Sequence, residues 1–388
     1  MLPLLLALPW LALLVFLLFV VRWPSELPEV DAGAGRPRPL VTVIVPARDE
    51  AANIARCVRS LTRSGYPDFE IVVVDDRSSD GTGDIARAVP RGAARRVLLI
   101  DGAELPAGWL GKPWACRQGA VAAEGDLLLF TDADTVHGPE LLAKAVAGME
   151  EEGADLLTVV GRQIMETFWE KLVQPQIFLL MLLRFPRFES LARSPSWRDA
   201  IANGQFLLFR RESYEAIGGH ESVKDEVAED LALAQVVKRA GLALRIRSAE
   251  GDLATRMYSS LAHLVEGWSK NIVMGGLQTV PRWMRPLVPP LALAGGVGLW
   301  LVPPAVLALA LAGLLGPGWL AWSANACLYS VAVWTWFTAR MEAPMRYAPL
   351  YPLGALVGAY IFARSWTRGR NVEWKGRRYE LPPLSERA

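Results

Sequence analysis

The sequence predicts an α/β domain built on a mostly parallel sheet, with transmembrane helices at both ends of the chain. Three observations lead there. Continuous apolar runs at 40–46, 71–74, 96–100 and 127–130 alternate with stretches of helical spacing, the pattern of strands covered on both faces. Several of these runs end in acidic or polar clusters, which places any chemistry at the carboxyl edge of the sheet, where open α/β sheets bind ligands. Hydrophobic residues make up 52% of the 388, and the excess is gathered at the two ends, while the middle has ordinary composition. A net charge of +1 offers no electrostatic case for nucleic acid.

Taken in order, residues 1–22 read as a membrane anchor: an apolar run with no Lys or Arg before it and Arg22 after it. Arg22, Arg36 and Arg38 then put the following domain in the cytoplasm by the positive-inside rule. Residues 23–39, rich in Pro and Gly, form a linker. The first strand runs to Pro46, and Ala47-Arg48-Asp49-Glu50 leads into a helix with apolar residues at Ile54, Val58 and Leu61. The second strand ends in Asp75-Asp76 and is followed by a polar loop and a short helix. After the third strand, Gly111-Lys112-Pro113 opens a helix toward Ala123. The three cysteines (Cys57, Cys116, Cys327) are far apart and match no metal spacing, which fits a reducing compartment. No G-x-G-x-x-G or Walker sequence is present, which disfavours a dinucleotide oxidoreductase or a P-loop ATPase.

The stretch 127–134 organises the rest. If it stays extended, Asp132 and Asp134 face one small volume. Two carboxylates so close repel unless a cation lies between them, and Mg2+ or Mn2+ carrying a substrate diphosphate resolves the conflict. An Asp-rich turn before the helix start at His137-Gly138-Pro139-Glu140 is the simpler alternative.

Together, residues 43–50, 74–82, Gly111-Lys112 and Asp132-Ala133-Asp134, in this order and rough spacing, resemble glycosyltransferase family 2 over about residues 40–275. Within it, residues 203–211, 217–220, 229–234, 267–271 and 374–379 are similar to membrane-bound enzymes acting on isoprenoid lipids, the hopanoid-associated and carotenoid (diaponeurosporenoate-type) glycosyltransferases. The resemblance implies a GT-A, Rossmann-like fold, a nucleotide-diphospho-sugar donor, a divalent metal and inversion at the anomeric carbon. By the same analogy Asp75 and Asp76, chiefly Asp76, accept a hydrogen bond from the base, though an Asx-turn also explains them. Pro46, Ala47 and Glu50 line that pocket, and Lys112 meets the diphosphate at a helix start. Asp134 contacts the metal, and Asp132 the ribose or the metal with its water. Glu229 and Asp230 stand at a helix N-terminus, and Asp230 is the expected base for the acceptor hydroxyl. Trp268 and Lys270 fall where many relatives have Q-x-x-R-W, which this chain lacks; they and His220 are expected near the acceptor or the diphosphate.

Residues 172–190 include a short apolar segment with basic edges, either interfacial or a core helix. Beyond 286 the chain reads as a transmembrane region to 363, with spans near 287–311, 319–337 and 347–363, then a basic tail at 364–388. Three full spans place that tail outside, whereas its charge places it in the cytoplasm, so one segment is re-entrant or flat. The expectation is a multi-pass inner-membrane glycosyltransferase moving a sugar to a lipid acceptor, an isoprenoid favoured. Polyprenyl phosphate, ceramide or glycerolipid acceptors, or a noncatalytic scaffold retaining the fold, are the alternatives.

Overall fold

A computed structural model describes residues 5–30, 38–369 and 371–380. Residues 1–4, residues 31–37 of the linker (Arg36 among them), residue 370 and the tail beyond Glu380 lie outside the described residues. The chain divides into two compact units. A sheet unit gathers Trp23–Ile164, Phe188–Met257 and Arg370–Ala388; a helical unit gathers Met1–Arg22, Met165–Arg187 and Tyr258–Gly369. Residues 165–187 and 258–275, expected with the sheet, therefore cluster with the apolar helices. Residues 371–380, expected as part of a basic tail, belong to the sheet unit.

The strands of the sheet unit are β1 (Val41–Ala47), β2 (Phe69–Asp75), β3 (Val97–Asp101), β4 (Leu127–Phe130), β5 (Thr135–His137), β6 (Leu156–Val160), β7 (Arg162–Gln163), β8 (Leu207–Arg210), β9 (Leu244–Ser248), β10 (Leu253–Thr255), β11 (Asn371–Trp374) and β12 (Arg377–Glu380). Seven of them form the main sheet in the order β3-β2-β1-β4-β8-β6-β9. Only β8 runs antiparallel to its neighbours there. The β-branched run Val41-Thr42-Val43-Ile44-Val45 suits a pleated strand, and all five side chains are buried. Its register sets Ala47 beside Asp75, and Asp75 beside Asp101, so the carboxyl ends of β1, β2 and β3 are level.

Its helices are α2 (Ile54–Leu61), α3 (Thr82–Arg87), α4 (Gly111–Ala122), α5 (Leu141–Glu151), α7 (Phe188–Arg193), α8 (Arg211–Ala216) and α9 (Glu229–Arg239). One contact fixes α4 on the sheet: a Cβ at Gly119 would sit 2.4 Å from Ile44 Cγ2, so only a glycine permits the approach.

The fourth strand is shorter than the sequence suggested. Its pairings with Ile44 on one side and Leu207 on the other both stop at Phe130. Thr131 Oγ1 then donates to Gln205 O at 2.7 Å, and Thr135 Oγ1 to Asp132 O at 2.7 Å. Asp132 and Asp134 thus stand in a turn between β4 and β5, and extended-strand alternation is not what brings them together.

The helical unit holds α1 (Leu8–Phe19), α6 (Phe168–Arg184), α10 (Leu261–Gln278), α11 (Val288–Trp300), α12 (Val302–Leu311), α13 (Pro317–Arg340) and α14 (Tyr351–Arg368). Among the described residues one helical stretch, Val288–Leu311, is long and apolar enough to cross a membrane, with mean hydropathy 1.9. The other expected spans are helices that do not reach that mark. In α13, Ser323, Ser330 and Thr338 interrupt the apolar run and donate to carbonyls one turn back at 2.6–2.7 Å. In α14, Arg364 and Arg368 pair with Glu266 of α10 at 2.7 Å. Helix α1 has 12 residues, short of the ~20 a bilayer requires. Helix α6 opens with a capping box, Thr167 with Glu170. It buries Ile177, Leu179 and Leu182 and exposes Leu180, Met181 and Leu183.

Candidate active site

The carboxyl ends of β1 and β2 and the start of α4 build one half of the site. Asp76 N donates to Ala47 O at 2.7 Å, which ties the two strand ends together. Arg48 extends the tie, donating from Nη1 to Asp76 O at 2.6 Å. Asp75 and Asp76 then part. Asp75 Oδ1 accepts from the Ser78 backbone at 3.1 Å and from its hydroxyl, a local turn. The Asp75 carboxylate also stands 2.5 Å from where a Cβ on Gly83 would lie. Asp76 is 3% exposed, and both its oxygens are held by the Arg377 guanidinium. Burial raises the Asp76 carboxyl above its usual range, against the pull of Arg377. Glu50 binds Asn53 Nδ2 at 2.8 Å and forms an ion pair with Lys375. Pro46 and Ala47 lie at the end of β1, beside these groups.

The other half is organised by Lys112. Its Nζ stands 2.6 Å from Asp132 Oδ1 and 2.6 Å from Glu229 Oε1. Burial lowers the lysine's proton affinity, but Asp132 and Glu229 outweigh it and hold it firmly charged. Asp230 accepts backbone hydrogen bonds from Gly204 at 2.9 Å and Leu231 at 2.7 Å. Burial, then the neighbouring Glu229 charge, push its carboxyl up to about 6. Asp134 is pushed up to about 8, by burial first and then by Asp132. Glycines mark how closely the parts meet. A Cβ on Gly111 would lie 2.7 Å from Arg377 Nη1 and 2.8 Å from Asp76 Oδ2; one on Gly204 would lie 3.2 Å from both Asp230 Oδ2 and Lys112 Nζ. Asp132, Glu229 and Asp230 therefore gather around Lys112, Asp76 meets the start of the same helix at Gly111, and Asp134 is close enough to feel Asp132, Glu50 and Lys112.

Asp134 Oδ1 is buried without a hydrogen-bond partner, which fits a hard divalent cation seeking oxygen ligands. Among the described residues no group of three or more His, Cys, Asp or Glu side chains is placed to hold an ion alone. An ion here would need Asp134, Asp132 and oxygens from a substrate, as Mg2+ commonly does.

Of the three residues expected near the acceptor or the diphosphate, His220 belongs to the sheet unit and Trp268 and Lys270 to the helical unit. His220 is 1% exposed, receives or gives a hydrogen bond at 2.8 Å with Tyr214 Oη, and packs against Phe130. Burial lowers it to about 3, so it is a neutral core residue. Trp268 and Lys270 belong to α10 of the helical unit, where Trp268 is enclosed by Phe178 and Tyr258. Cys116 is buried, as its small apolar character suggested.

Sequence reasoning gave no role to Arg48, Lys375 or Arg377. Three of the four non-glycine residues with positive φ, Asp49 (50°), Arg77 (59°) and Lys375 (45°), sit around Asp76 and Glu50, and such strained backbone clusters at functional sites. The available signal was Lys375-Gly376 between strand-like residues, a two-residue hairpin turn.

This sheet and its acid-lined edge define an enzyme of the glycosyltransferase class. Residues 42–218 match the family described as Glycosyl transferase family 2. It is 28% identical over 354 residues to a 4,4'-diaponeurosporenoate glycosyltransferase of Staphylococcus aureus, covering 88% of each chain. It is 25% identical over 253 residues to the Staphylococcus haemolyticus protein of that name, covering 64% of this chain and 65% of that one. Its fold is similar to that of a Pyrobaculum calidifontis mannosyltransferase solved with GDP-Man and Mn2+, at TM-score 0.51, 19% identity and 94% coverage of each chain.

Proposed function

We propose that the protein transfers a sugar from a nucleotide-diphospho-sugar to a membrane lipid bearing a hydroxyl or carboxyl group, with inversion at the anomeric carbon. The observation that supports this most is the Lys112 bridge between Asp132 and Glu229, with Asp230 and the unpartnered oxygen of Asp134 beside it. Asp76 and Glu50 receive the base end of the donor, and Lys112 meets its diphosphate. Asp134 and Asp132 would hold Mg2+ or Mn2+, which when bound would supply Lewis-acid chemistry at the diphosphate. Asp230 takes the proton of the acceptor oxygen as that oxygen attacks the anomeric carbon and the nucleoside diphosphate leaves. Gly204 and Leu231 fix the carboxylate by their N–H groups, and its raised affinity for protons suits a base working near neutral pH.

The lipid acceptor rests on the relatives' name and on the helical unit. An isoprenoid acid or alcohol is favoured over a polyprenyl phosphate, ceramide or glycerolipid. Leu8, Val15, Leu18 and Phe19 of α1 and Leu291, Leu309 and Leu311 of the long apolar stretch are exposed, as expected of side chains facing hydrocarbon. The sheet unit then works on the cytoplasmic face of the cell membrane.

Two measurements test the reading. Asp134→Ala is expected to abolish the divalent-ion dependence of nucleotide-sugar binding by calorimetry; unchanged dependence sinks the metal assignment. Lipid mass spectrometry of cells with and without the gene is expected to show a hexose-sized mass difference, and identical profiles would count against lipid glycosylation.

A further inference from the structure

The hairpin β11–β12 belongs to the sheet unit, and its turn reaches the same site. Lys375 and Gly376 both have positive φ, 45° and 74°, the conformation of a two-residue turn that favours Asn, Asp or Gly. A lysine there is conformationally costly. Its side chain offsets that by pairing with Glu50 and donating to the Arg48 carbonyl. Two residues on, Arg377 grips both oxygens of Asp76. Arg48 Nε returns a hydrogen bond to Lys375 O at 3.1 Å. Gly111, at the start of α4, leaves the space that Arg377 fills. Arg48, Arg77 and Arg377, with Glu104 and Leu105, line a cavity of about 340 Å3.

Charge gives the arrangement its meaning. Glu50, Asp76, Asp132, Asp134, Glu229 and Asp230 crowd this edge of the sheet, with Lys112 among the last four and Arg48 beside Asp76. An edge so acidic repels a diphosphate even with one divalent ion present. Lys375 and Arg377 correct the imbalance.

We propose that the C-terminal hairpin is a wall of the donor site, and that Lys375 and Arg377 bind the anionic part of the donor nucleotide. This rests on the donor-site reading above and extends it to residues about 300 positions from Asp76 in sequence.

The test is calorimetric titration of the detergent-solubilised full chain with UDP and GDP, in the presence of Mn2+. Lys375→Ala and Arg377→Ala are each expected to weaken nucleoside diphosphate binding about tenfold or more. The loss should grow from nucleoside to monophosphate to diphosphate, a gradient that general loosening of the fold does not produce. Lys375→Arg and Arg377→Lys keep the charge and should recover most of the affinity, which guards against misfolding of the alanine variants. Unchanged affinity overturns the proposal. So does tighter binding, which would make the hairpin a plug that the donor must displace. If the unaltered protein binds neither nucleotide, the donor-site reading itself fails.

Discussion

Asp75 and Asp76 are adjacent and chemically identical, yet the backbone gives them different work. Asp75 closes a local turn on Ser78, and Asp76 pairs with Arg377. The family resemblance already favoured Asp76 of the pair; what the sequence did not show is the turn on Ser78 that gives the two carboxylates their different partners. Asp230 carries the sharpest expectation at this scale. Its carboxyl is lifted to about 6 by burial and by Glu229, and it acts as a base only when ionised. Turnover should therefore rise with pH through about 6 and level off above it. Asp230→Asn should keep donor affinity, cut the rate by about a hundredfold or more, and lose that acidic limb. A variant retaining the limb would assign it to another group. Asp134 and Asp230 both titrate higher in the fold than as free carboxylates. Their contribution to stability is thus present at low pH and lost as pH rises toward 8.

At the scale of elements, strands β1 to β4 were legible because each is an uninterrupted apolar run, and α4 and α9 because Gly111-Lys112 and Glu229-Asp230 announce their starts. The end of β4 was not. Where a strand stops is decided by its partners, and the ladders on both sides of Phe130 finish together. Likewise His220, readable as a surface or acceptor residue, is claimed by Tyr214 and Phe130 in the core. The packing of α4 makes a separate prediction. Gly119→Ala would force a methyl against Ile44 and should destabilise the sheet unit by about 1–3 kcal/mol. Chemical denaturation would show it as a lower midpoint with an unchanged slope, and wild-type stability would mean the helix can slide without cost.

Across the whole molecule, composition marked both ends as apolar, and among the described residues one stretch, Val288–Leu311, is long and apolar enough to cross a membrane. Hydroxyls in α13 and arginines in α14 satisfy themselves inside the helical unit, which hydropathy along a chain does not register. The hairpin was illegible for a different reason: its partners at Glu50 and Asp76 lie at the far end of the sequence, and only the closed fold joins them. The exposed leucines of Val288–Leu311 predict that the protein stays with vesicles through high-salt and carbonate washes and is released by detergent. Recovery in the carbonate wash would restrict its membrane contact to the surface.

The position of Lys112 has one more consequence. Lys112 is already paired with Asp132 and Glu229 before any anion arrives, so binding one there means rearranging existing partners. Loading becomes an exchange in which one ammonium lets go of a side chain as it takes hold of a ligand, and release runs the same exchange backwards.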